Sequence, residues 1–407
     1  MTIVRPHHPP QSRRSLAIAA SMADLADFQR TSSWARRRDE PGISDFTFGN
    51  PHEMPLAGLV SALQAWSVPL NKDWFAYKAS EQEAREVAAS GLRQRTGVPF
   101  EADDLAMTNA GIAALMIAIR AVTDPGDEVI YSQPAWFLYD ALIVDADAIP
   151  VRVDIDPATF DIDPNAIAAA ITERTRVVIV NSPHNPTGKV VPTTTLAKLA
   201  AVLEAASARN GRTIYLLSDE PYAKLVFDGK RAPSPAEHYA ETLIAYSYGK
   251  VLLAPGQRIG YLAISPDSAA REELRSAIFV TQIATGWSFP SALMQHALPD
   301  LERLSIDLDH LRRKRDRLTG ALSTIGYTVH IPEGTFYLFP QSPLADDRAF
   351  AELLAKHDVF VMPGSFFGTS GYFRVSLTAS EEMIERSLPI FAAAWHEATA
   401  SRLAAAD

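Results

Sequence analysis

The side chains best placed for covalent chemistry stand at the ends of apolar runs. Lys250 closes Tyr246-Ser247-Tyr248-Gly249-Lys250, directly after the apolar run 242–245. A solvated lysine gains nothing from the end of a buried strand. A partly desolvated lysine, whose amine must attack a carbonyl, does gain from it. Eight residues on, Arg258 offers a fixed cation between the small residues Gly256 and Gly260. Alone, this stretch reads equally well as a strand end with two surface cations. Two upstream stretches add to it. Asn181-Ser182-Pro183-His184-Asn185-Pro186-Thr187-Gly188 follows a β-branched run. It is either a proline-rich turn or a rigid mount for Asn185 at the carboxyl end of a parallel strand, where open α/β sheets bind ligands. Ser218-Asp219-Glu220-Pro221-Tyr222 closes the next apolar run. Its Asp219 either caps the following segment or is a buried carboxylate that needs a cation. Tyr222, three residues on, can point its hydroxyl into the same place.

These groups need a scaffold that brings strand ends together. Apolar runs at 128–132, 149–153, 177–181, 213–217 and 243–246 alternate with helical patterns at 111–122, 139–146 and 196–208. The run 177–181 is continuous rather than alternating, as in a strand covered on both faces. The pattern predicts an α/β fold with a mostly parallel central sheet and helices on both faces. Upstream, helices are expected over 55–66 and over 80–96, the latter with Ser80 as N-cap and Glu83 completing a capping box. Beyond Ser288-Phe289-Pro290 the character changes to a smaller α+β unit. It should hold a charged helix over 301–322 with a solvated face, and strands near 328–330, 336–339, 360–362 and 372–377. A helix over 347–357 and another from Ser380 should complete it. The chain therefore divides into a tail and helix at 1–40, an extended lead-in at 41–56 that joins the smaller domain, a large domain at 57–290 and the small domain at 291–407. Residues 1–15 read as a disordered tail, and the rest up to Arg38 as a helix packed on the body.

Composition narrows the function. The chain has 407 residues and a net charge of −10. That charge argues against nucleic acid and against anionic membranes as partners. No run approaches the roughly 20 apolar residues of a membrane span. There are no cysteines, so thiolate catalysis, disulfides and cysteine-ligated metals are excluded. Ser12-Arg13-Arg14-Ser15-Leu16 has the look of an export signal, but its apolar part meets Asp24 and Asp27 too soon, and a cytoplasmic location is expected. His7 and His8 have no partners at metal-ligand spacing, and no metal site is expected.

In order, Asn185-Pro186-Thr187-Gly188, Asp219-x-x-Tyr222, Ser247-x-Gly249-Lys250, Arg258 and Phe373-Arg374-Val375-Ser376 resemble the motifs of the class I/II aminotransferases, the fold-type-I enzymes that use pyridoxal 5′-phosphate (PLP). The resemblance runs from about Phe46 to the end of the chain. It implies that Lys250 holds the cofactor as a Schiff base and shuttles a proton, that Asp219 pairs with the pyridine nitrogen, and that Tyr222 and Asn185 bond the ring oxygen. It implies that Trp136 stacks on the ring and also borders the substrate. Ala110, Gly111 and Ile112, with Ser247 and Arg258, would hold the phosphate. Tyr77 would reach a phosphate across a homodimer interface. Arg374 would fork onto the substrate α-carboxylate, with Gly49 and Asn185 beside it.

The expected reaction moves an amino group from an L-amino acid to a 2-oxo acid. The same apparatus supports elimination, decarboxylation, cyclisation or oxidation, and an aminotransferase-like sensor domain is the non-enzymatic alternative. The chain departs from the family pattern at the hydroxyl-free turn 110–112, at Gly249, where relatives often have serine, and after Tyr77, where a glycine is replaced near Gln82. Ile112 occupies a place where some aspartate-using relatives carry lysine. This favours a neutral or aromatic amino donor over an acidic one, with Lys78 as a possible substitute cation. His184 reads as a spacer, and Phe336 and Tyr337 as core residues that could wall the substrate.

Overall fold

The computed structural model describes residues 10–404. At its centre lies a seven-stranded sheet in the order Leu105–Thr108, Gly260–Ile264, Thr242–Ser247, Tyr215–Asp219, Thr175–Asn181, Glu128–Gln133, Ile149–Asp154. Gly260–Ile264 is antiparallel to both of its neighbours, and the remaining pairs are parallel. The five predicted strands form. Leu105–Thr108 and Gly260–Ile264 were not foreseen, since both are short and merge into the motifs that follow or precede them. Register brings the chemistry to one edge: Asn181 lies opposite Asp219, Asp219 opposite Ala245, and Ser247 opposite Gly260.

Helix Ala110–Val122 packs against this sheet and buries Leu115, Ile117 and Ile119 completely or nearly so. Each such aliphatic side chain contributes about 1.5–3 kcal/mol by leaving water. The same burial fixes the helix N-terminus at the edge where Ser247 ends its strand.

Helix Gln82–Thr96 starts later than expected, and the capping box at Ser80 does not form. Its N-cap is Glu81, with no side-chain cap bond. The Ser80 hydroxyl instead accepts the Met107 amide at 2.9 Å, which ties the loop before the helix to the sheet. Gln295 holds the same loop, accepting from the Glu81 amide at 2.8 Å and donating to the Ala79 carbonyl at 3.0 Å. The charged helix is Leu308–Ile325 rather than 301–322, because Asp307 caps it by accepting from the His310 amide. Its charges are not all solvated. Lys314 and Arg315 are buried. Lys314 pairs with Glu53 of the lead-in segment. Arg315 donates to Asp228 at 2.8 Å and lies 4.5 Å over the Phe227 ring. The face expected to be solvated thus meets protein at these two cations, because Glu53 and Asp228 reach them.

The lead-in strand Ser44–Asp45 pairs with Val359–Phe360, and Tyr337–Leu338, Phe373–Ser376 and Met362–Pro363 form a second small sheet. No strand forms at 328–330, where the Thr328 carbonyl accepts a bond from Gln341 but no ladder develops. At the amino end, Arg13–Ser21, Ala23–Thr31 and Ser33–Arg37 are three short helices in place of one. Residues 13–15 are helical, since Ser12 caps the first helix. Ser32 caps the third and breaks continuity with the second. Arg14 pairs with Asp147, and Arg348 with Asp24 at 2.7 Å. His7 and His8 lie outside the described residues. Among the described residues, no helix is long and apolar enough to cross a membrane.

Candidate active site

One cavity is lined by Ala110, Gly111, Ile112, Trp136, Asn185, Asp219, Tyr222, Ser247, Lys250 and Arg258 together. These residues come from strand ends more than a hundred positions apart, so the sheet register assembles them.

Lys250 lies in the short helical turn Tyr248–Val251 that follows the strand Thr242–Ser247. Its Nζ stands 5.7 Å from the centre of the Tyr222 ring and 5.8 Å from that of Phe336. Opposite it, Asp219 is buried without a salt-bridge partner. It accepts a 2.6 Å hydrogen bond from the Tyr139 hydroxyl, and Asn181 Nδ2 donates to its backbone carbonyl at 2.8 Å. Burial pushes the carboxyl up to about 7, against the opposing pull of the Tyr139 bond and the Lys250 charge. Sequence reading expected a cation beside Asp219, and the local partner is a phenol.

Ala110 opens helix Ala110–Val122 with φ 66°, a left-handed conformation for a non-glycine residue. Such a conformation costs about 1–3 kcal/mol and persists where surrounding structure enforces it. The enforcing neighbour is Gly260. A Cβ there would stand 2.2 Å from the Tyr246 carbonyl oxygen and 3.0 Å from Ala110 Cα, so only glycine lets the helix start lie against the strand. The helix N-terminus and its free amides thus face the cavity beside Ser247. Arg258 completes this corner. It donates to the Pro255 carbonyl at 2.7 Å, and burial lowers its guanidinium, with no opposing carboxylate. A half-buried cation next to free amides is a ready anion site.

Arg374 is buried behind Asn185. It donates to Asn185 Oδ1 at 2.9 Å and to the Thr47 carbonyl at 2.8 Å, and its Nε is buried without a partner. The Asn185 amide accepts from Arg374, and the Asn185 backbone is pinned by Asn181 Oδ1 at 2.8 Å. Gly49 approaches through Tyr337, since a Cβ on Gly49 would stand 2.6 Å from the Tyr337 hydroxyl. The Tyr337 ring lies 4.0 Å under the Arg374 guanidinium. Burial opposes ionisation of Tyr337, but Arg374 and Lys250 outweigh it and hold the phenol below its ordinary range.

Tyr77 is the exception. It is fully exposed and takes no part in the cavity of its own chain. His184 is more than a spacer. Its Nδ1 lies 2.7 Å from Thr187 Oγ1, and burial lowers the imidazole to about 4, so it is a neutral strut inside the turn. Two residues had no assigned role from sequence, Tyr139 and Asn181, and Tyr337 was read as a core residue or substrate wall, not as a partner of Arg374. Trp136 lies before the helix Tyr139–Asp145, so helical spacing gave no signal for Tyr139. No group of three or more possible metal ligands occurs among the described residues.

The profile of the class I and II aminotransferase family matches residues 42–389. The aspartate/prephenate aminotransferase of Thermus thermophilus is 32% identical over 331 residues, covering 79% of this chain and 83% of that protein. An amino transferase structure from Eubacterium rectale superposes with a TM-score of 0.84 at 30% identity, covering 96% of each chain. The Thermus thermophilus aspartate aminotransferase with maleate gives 0.80 at 29% identity, covering 95% of this chain and all of that one. The chain belongs to the class I and II aminotransferase family, whose members use PLP, and its fold and enzyme class are those of an aminotransferase.

Proposed function

We propose that the chain binds PLP on Lys250 and moves an amino group between an L-amino acid and a 2-oxo acid. The observation that carries this reading is the pairing, in one cavity, of an amine with a buried carboxyl raised to about 7. The other groups fit the cofactor. Arg258 lacks a counter-ion beside a glycine-lined helix start, which suits a phosphate. Buried Asp219 lacks a cation, which suits a protonated ring nitrogen. The buried, unpartnered Nε of Arg374 leaves donor capacity for a carboxylate.

When bound, PLP supplies a carbonyl carbon that takes up the amino group and a protonated ring that withdraws electrons. The protein does the rest. Lys250 Nζ removes and returns the proton at the substrate Cα. Asp219 would hold the proton on the ring nitrogen, with Tyr139 orienting that carboxylate. Tyr222 and Asn185 would hold the ring oxygen, Trp136 would shield the ring from water, and Ser247, Arg258 and the amides of 110–112 would hold the phosphate. Arg374 would hold the α-carboxylate, with its unpartnered Nε as a donor.

The proposal includes a homodimer in which the partner's Tyr77 reaches the phosphate. Support comes from the exposed side chains Val68, Leu70, Phe75 and Tyr77 on one loop, and Phe279, Val280 and Ile283 on another segment. Exposed apolar groups of this kind mark association surfaces. It also divides the chain into a cofactor-holding unit near 57–290 and a smaller unit of lead-in and C-terminal segments, a division that the pairing of Ser44–Asp45 with Val359–Phe360 supports.

The test is a single-turnover reaction of PLP-loaded protein with candidate L-amino acids. Bleaching of the yellow chromophore with stoichiometric 2-oxo acid is expected. Ammonia release without retained amine on the cofactor refutes transfer. Mixing a Lys250→Ala chain with a Tyr77→Phe chain tests the shared site: sedimentation at dimer mass with unequal phosphate retention at the two sites is expected, and a monomer refutes it.

A further inference from the structure

The reading above leaves open what the substrate carries beyond its α-carbon, and the cavity wall bears on this. Apart from Lys250, Asp219 and Arg258, no side chain lining the cavity is a Lys, Arg, Asp, Glu or His. The proposed function takes those three for the cofactor and Arg374 for the α-carboxylate. The apolar wall left for a side chain is Ile112, Leu115 and Trp136, with Pro221 and Pro255. Ile112 and Leu115 lie on helix Ala110–Val122, and Met116, one turn beyond Ile112, extends the same face. Trp287 closes over it, with Nε1 3.0 Å from Met116 Sδ. Ile112, Met116, Trp136 and Trp287 are all only partly buried and pack on the same apolar cluster, so apolar surface remains open beside the cavity.

The neighbouring cations are engaged elsewhere. Arg120, the next residue along that helical face, is bound to Asp145 at 2.7 Å. Lys78, on the loop that carries Tyr77, is paired with Glu81 at 3.3 Å. Within one chain, a second substrate carboxylate would therefore be desolvated beside this apolar wall without a free cation. Such an unpaired charge opposes binding, whereas an aromatic ring gains both area and ring contacts with the two tryptophans.

We infer that this enzyme's substrates are amino acids and 2-oxo acids with an uncharged aromatic side chain, seated against Ile112, Leu115 and Trp136, and not dicarboxylates of the kind named for its curated relatives. The inference rests on the aminotransferase reading, and its test separates the two. Two measurements are made on the PLP-loaded protein. The first is binding of the unreactive analogues 3-phenylpropionate and succinate, read by tryptophan fluorescence. The second is single-turnover transfer from L-phenylalanine and from L-aspartate.

Phenylpropionate should bind, and phenylalanine react, about 10- to 100-fold better than the dicarboxylic counterpart. Ile112→Lys should reverse the order by raising the response to succinate and aspartate and lowering that to the aromatic pair. Preference for succinate and aspartate in the unaltered protein overturns the inference and leaves transfer intact. Preference for phenylpropionate without transfer from either amino acid overturns the reaction and leaves the inference intact. An Ile112→Lys protein that folds and binds cofactor with its aromatic preference unchanged also overturns the inference, because the wall would not set the selection.

Discussion

In the cofactor-free protein, Asp219 should make stability fall as pH rises, opposite to the usual behaviour of a paired carboxylate. Its carboxyl lies at about 7 when folded, against 3.8 for a free side chain. The folded state therefore binds more protons than the unfolded state between these values. Stability from this group is fully present below about 4 and is lost as pH rises through about 7. At 1.36 kcal/mol per pH unit, the difference between 3.8 and about 7 amounts to about 4 kcal/mol. The perturbation is Asp219→Asn, which keeps the shape and removes the titration. Urea unfolding of cofactor-free protein, measured from pH 5 to 8, isolates the effect as the difference between the two profiles. The unaltered protein should lose about 2 kcal/mol more than the variant between pH 5 and 7 and little beyond. Tyr139→Phe should carry the decline to higher pH, because it removes the bond that favours the ionised carboxylate. Parallel profiles for the unaltered protein and Asp219→Asn would refute a burial-raised Asp219. Adding PLP should flatten the decline, since a ring proton gives the ionised carboxylate a partner.

Lys250→Ala should lower turnover by roughly 100- to 10,000-fold while retaining cofactor through dialysis, as absorbance and activity assays will show. Arg374→Lys keeps the charge but loses the fork, so kcat/KM for the amino acid should fall about 10- to 100-fold, in line with about 1.5–3 kcal/mol for hydrogen bonds to charged groups. Gly260→Ala forces a Cβ to within 2.2 Å of the Tyr246 carbonyl oxygen. It should cost about 1–3 kcal/mol in urea unfolding and weaken PLP binding, which equilibrium dialysis would register.

The parts of the site readable from sequence are those where a polar residue interrupts an apolar run. Asn185, Asp219 and Lys250 stand at or just past strand ends, and a strand end in a parallel sheet has only one edge to face. Tyr139 carried no such signal because its ring is buried like any core aromatic, and only its hydroxyl, aimed at Asp219, reveals the role. Lys314 and Arg315 misled for the converse reason. Spacing places charges on a helix face, but whether that face meets water or Glu53 and Asp228 depends on residues 261 and 87 positions away. Ser80 shows the same limit, since its hydroxyl had a choice between a local amide and Met107, and tertiary packing decided it. The strand Gly260–Ile264 was hidden because a five-residue run beside Arg258 reads as part of the motif rather than as sheet. Within the lead-in at 41–56, Ser44–Asp45 pairs with Val359–Phe360, a long-range partner that spacing alone does not identify.

The loop bearing Tyr77 is an arm with a bolted root and a bare tip. Ser80, Glu81 and Ala79 are held by Met107 and Gln295, and Trp74 is stacked 3.8 Å from His296. Most of the freedom such an arm has to give up is surrendered while the chain folds. Docking onto a second copy would then mainly cost rigid-body motion, which leaves more of the contact energy to hold two subunits together at low concentration.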